Sequence, residues 1–294
     1  MAEQTIVLAT GQRERLASGG ALFRTLRVLS RDKALLLGCC MCLFLVLFMT
    51  LGPFASGVDP QKTSANVLAA PSAQHLLGTD SLGRDLLARI VVGARWSLLV
   101  AVAGTVISLL VGVTLGIVAG YFGGWIEWVQ MRLVDITLSV PPLLLAIAVL
   151  AAIGPSISSL ILVLVFTHLP QTIRLLRAAT LQTKQRAYVD SARISGVRPV
   201  LVMWEHILPN VRSVVIVQAS VMVAHMLLVE TILSFLGLGV QPPTPSLGFM
   251  VAEGRQWMEF SPWSVIAPGC LIVFAVAAFT VVGHGLDRFL AGRP

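Results

Sequence analysis

The segment VDSARISGVRPVLVMWEHILPN (residues 189–210) is polar, although it lies between two long apolar runs. It carries five ionisable side chains: Asp190, Arg193, Arg198, Glu205 and His206. A glycine, Gly196, and a proline near its end, Pro209, punctuate it. Gly196 can form a sharp turn between two short helices, and Pro209 can break the second helix. The segment therefore predicts a pair of short polar helices inserted between apolar ones.

The sequence around this segment is unusually apolar. Of 294 residues, 56% are hydrophobic and 12% are charged, and the mean hydropathy is +0.87. Soluble domains carry about 25% charged residues, whereas continuous apolar runs of about 18 residues or more are typical of helices that cross a bilayer. The composition indicates an all-α integral membrane protein. The net charge of +7 fits basic cytoplasmic loops, so nucleic-acid binding is not expected.

Six apolar runs are candidate transmembrane helices: 34–51, 97–118, 133–153, 157–167, 214–236 and 263–282. The first is interpreted as a retained span, since it lacks the small-x-small cleavage site of a signal peptide. The third contains Pro141-Pro142, which should kink or break it. The fourth is too short for a span, and we expect it to extend through His168 and Pro170 toward Leu176.

The distribution of basic residues predicts the orientation. With the N-terminus in the cytoplasm, sixteen Lys and Arg residues fall in inside segments and five fall in outside segments. The predicted organisation is a cytoplasmic arm (1–33), a first span (34–51), an external loop (52–96), a core of five further spans (97–284) with a cytoplasmic loop (171–212), and a cytoplasmic tail (285–294). Both termini are then cytoplasmic.

Small residues recur every four positions in the second span. Because a spacing of four places them on one helix face, they allow another helix to approach closely. This pattern favours a tightly packed bundle over a pore-lining role. The residues are Gly104, Ser108, Gly112, Gly116 and Gly120.

A few ionisable residues lie at or inside the predicted spans. Asp135 is within one turn of Arg132, and we expect a local ion pair there rather than a proton relay. Glu230 lies deep in the fifth span, with His225 five residues before it. Such groups normally face the bundle interior or a water-filled path. Glu230 is therefore the main intramembrane candidate for function, with a buried structural hydrogen bond as the alternative.

Motifs for catalysis or metal binding are missing from the sequence. It has no G-x-x-x-x-G-K-S/T phosphate loop, no H-E-x-x-H and no G-x-S-x-G. The cysteines have no metal-site spacing with a histidine, and they are interpreted as small packing residues: Cys39, Cys40, Cys42 and Cys270. We expect no enzyme activity, no bound metal and no cofactor in this chain, which leaves transport or signalling.

The 189–210 segment resembles the "EAA" loop of bacterial ABC-importer permeases, whose pattern is E-A-A, three residues, G, about nine residues, then I-x-L-P. The matching residues are Asp190, Ser191, Ala192, Gly196, His206, Leu208 and Pro209. Asp replaces Glu, Ser replaces the middle Ala, and His206 stands where the general pattern has Ile. The sequence "HILPN" is common in the oligopeptide/dipeptide/nickel branch of these permeases.

Three other segments resemble the same branch. They are LGTDSLGRDLLARIVVGARWSL (77–98), MRLVDITLSVPPLLLAI (131–147) and LSFLGLGVQPPTPSLGFM (233–250), the last with Leu247 where Trp is usual. The resemblance places the first of these at the external surface, near the second permease or the binding protein, and a purely structural role in ion pairs is the alternative. Its charged residues are Asp80, Arg84, Asp85 and Arg89, and we expect Asp85 and Arg89 to pair at i, i+4.

This resemblance implies a type I ABC-importer permease in the bacterial inner membrane. Such a permease pairs with a second, homologous permease and with two ATPase subunits, which bind ATP and Mg. An external solute-binding protein delivers the substrate, and the EAA loop docks into a groove on the ATPase. By this resemblance residues 190–196 are the docking element, and Arg193 and Arg198 pair with acidic groups of the ATPase. The alternative is that these two arginines are solvated charges of a cytoplasmic loop.

Peptides are the expected cargo, because they are the commonest substrates of the branch. Nickel or a metal chelate is the alternative, because His168 and the sequence AHMLL (224–228), with His225 and Met226, resemble the nickel members. An ion-coupled secondary transporter acting alone and a membrane scaffold or sensor are the competing classes of function. A clear internal repeat, common in secondary transporters, is not seen between the halves.

Overall fold

The structure is a computed structural model that describes residues 32–290. The basic residues predicted for the cytoplasmic arm at positions 13–31, and Arg293 in the tail, lie outside the described residues. Apart from one isolated β-bridge between Thr79 and Asp85, the regular elements of the described part are helical, as predicted. They are α1 (Lys33–Ser56), α2 (Leu86–Phe122), α3 (Gly124–Leu138), α4 (Pro142–Ile153), α5 (Ile157–Lys184), α6 (Ala187–Ile194), α7 (Pro199–Leu201), a π-helical segment (Val202–Ile207), α8 (Leu208–Phe235), α9 (Leu247–Arg255) and α10 (Trp263–Leu290).

Five helices of the described chain are long and apolar enough to cross a membrane, or six if the bent pair α3–α4 counts as one span. The axes of α3 and α4 differ by 85°, with the break at Ser139–Pro141. The predicted effect of Pro141-Pro142 is confirmed, because two successive residues without N–H groups end the hydrogen-bond ladder of α3. The predicted extension of the fourth span is also confirmed, since α5 continues through Pro170 to Lys184.

The predicted ladder of small residues lies between α2 and α5. A Cβ atom at Gly112 would lie 2.6 Å from the Thr172 side chain, and one at Gly116 would lie 2.7 Å from Leu176 Cβ. At Gly120 it would lie 2.7 Å from Thr180 Cβ. The two helix backbones therefore approach to a distance that excludes side chains at these positions, and the packing interpretation is confirmed.

The ends of the bundle differ in what they carry. Residues 57–85 and α9 lie at one end, which we call the loop end. The opposite end carries α6, and we call it the α6 end. α1 and α10 pack together at the α6 end, where the Arg288 Nε donates a hydrogen bond to Asp32 Oδ2 at 3.0 Å. This hydrogen bond lowers the pKa of Asp32 below its usual value. Both ends of the described chain are therefore at the α6 end.

A central apolar cluster joins the long helices. It includes Val100 of α2, Leu150 of α4, Leu164 of α5, Leu227 of α8 and Ala278 of α10. A second cluster lies at the α6 end and a third at the loop end. This arrangement makes the bundle a single packed unit.

Candidate functional site

The segment that links α5 to α8 begins with α6, and Gly196 terminates this helix. The Gly196 N–H donates to the Arg193 carbonyl at 3.1 Å, and the Val197 N–H donates to the Ala192 carbonyl at 3.2 Å. Gly196 has a φ of +76°. These two hydrogen bonds and the left-handed residue form a Schellman motif, which commonly ends helices at glycine. The predicted turn at Gly196 is confirmed.

An apolar cluster holds this segment against the helix bundle. Val189 of α6 and Val202 of the π-helical segment are fully buried with Leu176 of α5, and Ile117 of α2 and Val211 of α8 complete the contact. Ala192 and Val197 pack against the same cluster. Because packed interiors transmit displacements, α6 is mechanically connected to three membrane helices.

Three apolar side chains of the segment are largely exposed. Ile194 is 88% exposed, Val200 71% and Trp204 69%. Large exposed apolar patches mark protein-binding or membrane-binding surfaces. The sequence interpretation had emphasised Arg193 and Arg198 and missed this patch. The apolar residues are visible in the sequence, but which of them are exposed depends on which face of α6 is buried.

The predicted charged residues of the segment are exposed and only weakly engaged. Asp190 Oδ1 and Arg193 Nη1 are 3.4 Å apart within α6, and Ser191 Oγ donates to the Ala187 carbonyl at 3.0 Å. The Arg198 side chain is exposed, and the structure gives it no ion pair within residues 32–290. These side chains are therefore accessible to a partner.

The prediction that Pro209 breaks the second helix is wrong. Residues 199–235 form one continuous helix, in which the Leu208 N–H donates to the carbonyl of Met203, five residues earlier. This wider π turn stands immediately before Pro209, and proline is tolerated where its missing N–H is not required. The Asn210 side chain then donates to the His206 carbonyl at 2.7 Å. The His206 ring lies 6.4 Å from the Tyr188 ring of α6.

Four charged side chains form a network at the loop end. Asp80 Oδ2 lies 2.6 Å from Arg84 Nε and 3.3 Å from Arg89 Nε. Glu253 of α9 lies 3.2 Å from Arg84 Nη2 and 3.4 Å from Arg89 Nη2. Since Arg89 is buried, this network ties the 57–85 loop and α9 to the start of α2.

The expected i, i+4 ion pair between Asp85 and Arg89 is wrong. Asp85 is the N-cap of α2, where its Oδ1 accepts from the Ala88 N–H at 2.8 Å, and its Oδ2 lies 2.9 Å from His75 Nδ1. A capping side chain points back at the free N–H groups of the first turn, which directs the carboxylate away from position i+4. Arg89 therefore pairs with Asp80 and Glu253 instead.

The predicted intramembrane candidates differ in their burial. Glu230 is fully buried, and its Oε1 accepts from Ser234 Oγ at 2.7 Å. Met226 is fully buried between α8 and α2, with its Sδ 3.4 Å from Thr105 Oγ1. His168 is nearly buried, and its Nδ1 lies 3.0 Å from the Leu164 carbonyl. Only the fourth candidate, His225, has an exposed side chain.

The expected ion pair between Asp135 and Arg132 is wrong, because Asp135 pairs with a different arginine. Asp135 pairs with Arg174 of α5, and Glu127 pairs with Arg177 of the same helix. α3 lies against α5, so arginines of the neighbouring helix reach both carboxylates. Arg132, on α3 itself, is exposed.

No group of three or more His, Cys, Asp or Glu side chains that could hold a metal ion occurs within residues 32–290. The four cysteines are free thiols. Cys42 packs against the central cluster as expected, while Cys40 and Cys270 are exposed on their helices.

Comparison with known proteins identifies the class to which this bundle belongs. A family model described as the inner membrane component of binding-protein-dependent transport systems matches residues 112–293. The chain belongs to this family, and it is a multi-pass protein of the bacterial inner membrane.

Relatives of known assignment cover most of the chain. The di/tripeptide transport system permease protein DppC of Pseudomonas aeruginosa is 38% identical, over 87% of this chain and 87% of its own. The dipeptide permease DppC of Alkalihalophilus pseudofirmus is 36% identical over 88% and 85% of the two chains. The glutathione permease GsiD of Pectobacterium atrosepticum is 39% identical over 74% and 72%.

Proposed function

We propose that this chain is the permease subunit of an ATP-driven importer of di- and oligopeptides, with an external solute-binding protein delivering the substrate. The observation that carries the proposal is the α6 segment, which is anchored in the helix bundle on one face and presents exposed apolar side chains on the other. The names of the related permeases, which refer to dipeptide, di/tripeptide and glutathione transport, support the peptide cargo.

In this proposal the surface formed by Ile194, Val200 and Trp204 docks into a groove of one ATPase subunit. Asp190, Arg193 and Arg198 lie beside it and add polar contacts. ATP and Mg bind to the two ATPase subunits and close them. The cluster around Val189 passes that displacement to α2, α5 and α8, and a second, homologous permease completes the path.

The orientation follows from the same proposal. The α6 end faces the cytoplasm, so both ends of the described chain do as well. Arginines and lysines are concentrated at this end, as expected for a cytoplasmic surface: Arg132, Arg174, Arg177, Lys184, Arg186, Arg193, Arg198 and Arg212. The loop end, with its network around Arg89, then faces outward toward the solute-binding protein.

The translocation path is assigned to the surface of α8 that carries His225. Its side chain is exposed, whereas those of Met226, Glu230 and His168 are packed in the conformation described. Glu230 lies inside the bundle, where its carboxylate accepts a hydrogen bond from Ser234 of the same helix. An exposed histidine can contact either a peptide carboxylate or a metal chelate.

Uptake measurements test the cargo. Cells that lack this chain should lose uptake of a labelled dipeptide, and expression of the chain should restore it, while uptake of labelled nickel stays unchanged. Loss of nickel uptake with normal dipeptide uptake would establish the metal alternative. Dipeptide transport by the purified chain in vesicles, driven by an ion gradient without any ATPase, would contradict the importer assignment.

Replacing Ile194 with Asp tests the docking surface. A buried carboxylate in an apolar contact is costly, so we expect the ATPase subunits to be lost from the complex when the chain is purified from membranes. Leu82→Asp is the matched control, because Leu82 is 52% exposed at the loop end. Equal retention of the ATPase by wild type and Ile194→Asp would show that this face does not bind it.

A further inference from the structure

The start of α3 carries two exposed tryptophans. Trp125 is 74% exposed and Trp128 is 60% exposed. Their rings stack, with centroids 5.0 Å apart and an angle of 22° between the planes. Tryptophan is enriched at the boundary between lipid and water, where its ring meets the acyl chains and its N–H meets the headgroups. The pair therefore marks a membrane interface.

The position of this pair in the bundle is fixed by neighbouring contacts. α3 follows α2 directly after Gly123, and the Lys184 Nζ at the end of α5 donates to the Tyr121 carbonyl at 2.6 Å. The start of α3 is therefore at the α6 end. Exposed apolar residues continue along α3 at Ile126, Leu133 and Ile136, so an apolar surface leads away from the tryptophans.

A shallow, open cavity of about 490 Å³ lies beside Trp128. Its lining includes Met131 and Arg132 of α3 and Arg177 of α5, with the carboxylates of Glu127 and Asp135. This volume is large enough for a small polar group such as a phosphate ester. Its wall combines an aromatic ring, an apolar side chain, two guanidinium groups and two carboxylates.

The charges around this cavity do not balance. Glu127 pairs with Arg177, and Asp135 pairs with Arg174. Arg132 is the remaining cation, and the structure gives it no carboxylate partner within residues 32–290. Since each of the two carboxylates already has an arginine, the site has one positive charge left over. An arginine guanidinium binds phosphate with two parallel hydrogen bonds.

We propose that Arg132, Trp125 and Trp128 form a binding site for the headgroup of an anionic phospholipid such as phosphatidylglycerol. The phosphate contacts Arg132 in the cavity, and the acyl chains lie against the tryptophans and the apolar face of α3. A zwitterionic headgroup has no net charge with which to neutralise the unpaired Arg132. The site therefore prefers a lipid of net negative charge.

Native mass spectrometry of the full chain tests this proposal, with phosphatidylglycerol and phosphatidylcholine as probes. Wild type should retain phosphatidylglycerol more strongly than phosphatidylcholine. Arg132→Gln should weaken phosphatidylglycerol binding about five- to tenfold, which is the range expected for losing one cation at a membrane surface. Trp128→Leu should weaken binding of both lipids, because it removes the ring but no charge.

Arg186→Gln is the matched control, since Arg186 is an exposed arginine at the same end of the bundle and has no ion pair in the described part of the chain. It should change phosphatidylglycerol binding less than twofold. Equal losses in Arg132→Gln and Arg186→Gln, or equal binding of the two lipids by wild type, would overturn the site.

Three further measurements separate the remaining explanations. Unchanged melting temperatures of the variants would show that a loss of lipid is not a loss of folding. Displacement of the lipid by millimolar inorganic phosphate would overturn the lipid assignment in favour of a free-anion site. Absence of bound lipid when the chain is purified with its permease partner would show instead that protein covers this face.

Discussion

Replacing Gly196 with Val should leave the chain in the membrane but reduce peptide uptake by the complete complex about tenfold or more. Gly196 has a φ of +76°, which costs an L-residue about 1–2 kcal/mol and is especially unfavourable for a β-branched side chain. A Cβ there would meet no atom within 4 Å. The effect would therefore come from backbone strain, which opens the Schellman turn and moves Val197 and Val200 relative to α6.

Asn at position 196 provides the first control, because asparagine tolerates the left-handed conformation. Gly196→Asn should keep most of the uptake. Gly57→Val is the second control, since Gly57 has a φ of +59° with no atom near its missing Cβ and ends α1 at the loop end. With Gly57→Val, the amount of peptide imported per ATP hydrolysed should match wild type.

ATP hydrolysis and uptake should be measured on the same reconstituted complexes. We expect the complex that contains Gly196→Val to hydrolyse ATP but to import less peptide per ATP hydrolysed than the wild-type complex. Normal uptake at a normal rate of hydrolysis would contradict the coupling role of the segment. Loss of both activities together with loss of the bound ATPase would instead indicate that the turn is needed for docking itself.

Features with a strong local cause could be predicted from the sequence. Apolar runs identify membrane helices because the bilayer requires about 20 apolar residues and internal hydrogen bonds. Two successive prolines, Pro141 and Pro142, remove two backbone donors and so mark the bend. Gly196 marks a left-handed turn for a similar reason. Each of these effects is determined within a few residues.

Contacts between distant segments could not be predicted in the same way. One of the two partners of Arg89 is Glu253, which lies on a different helix far along the chain, and the partner of Asp135 is Arg174. Local spacing predicted Asp85 as the partner of Arg89 and Arg132 as the partner of Asp135. A carboxylate that caps a helix or meets a neighbouring helix is redirected by tertiary packing, and a single sequence carries little information about that. The exposed patch at Ile194 required knowledge of which face of α6 is buried.

The glycine ladder gives the largest expected effect on folding. Gly116→Leu should prevent accumulation of folded chain in the membrane, and Gly116→Ala should destabilise it by about 1–3 kcal/mol, the usual cost of overpacking. A Cβ at this position would lie 2.7 Å from Leu176 Cβ and 2.9 Å from the Ile173 carbonyl oxygen. Because the second of these atoms belongs to the backbone, a change of rotamer cannot relieve the clash, and α2 and α5 must separate.

That separation would also disturb the α6 end, since Leu176 belongs to the apolar cluster that holds Val189. Gly269→Leu is the matched control, because Gly269 of α10 has no atom within 4 Å of its missing Cβ. The amount and the melting temperature of the Gly269→Leu chain should match those of wild type. The amount of detergent-soluble, monodisperse chain and its melting temperature measure the effect. A Gly116→Leu variant that accumulates and melts like wild type would show that α2 and α5 are not in close contact. The ladder would then not be the element that holds the coupling segment to the membrane helices.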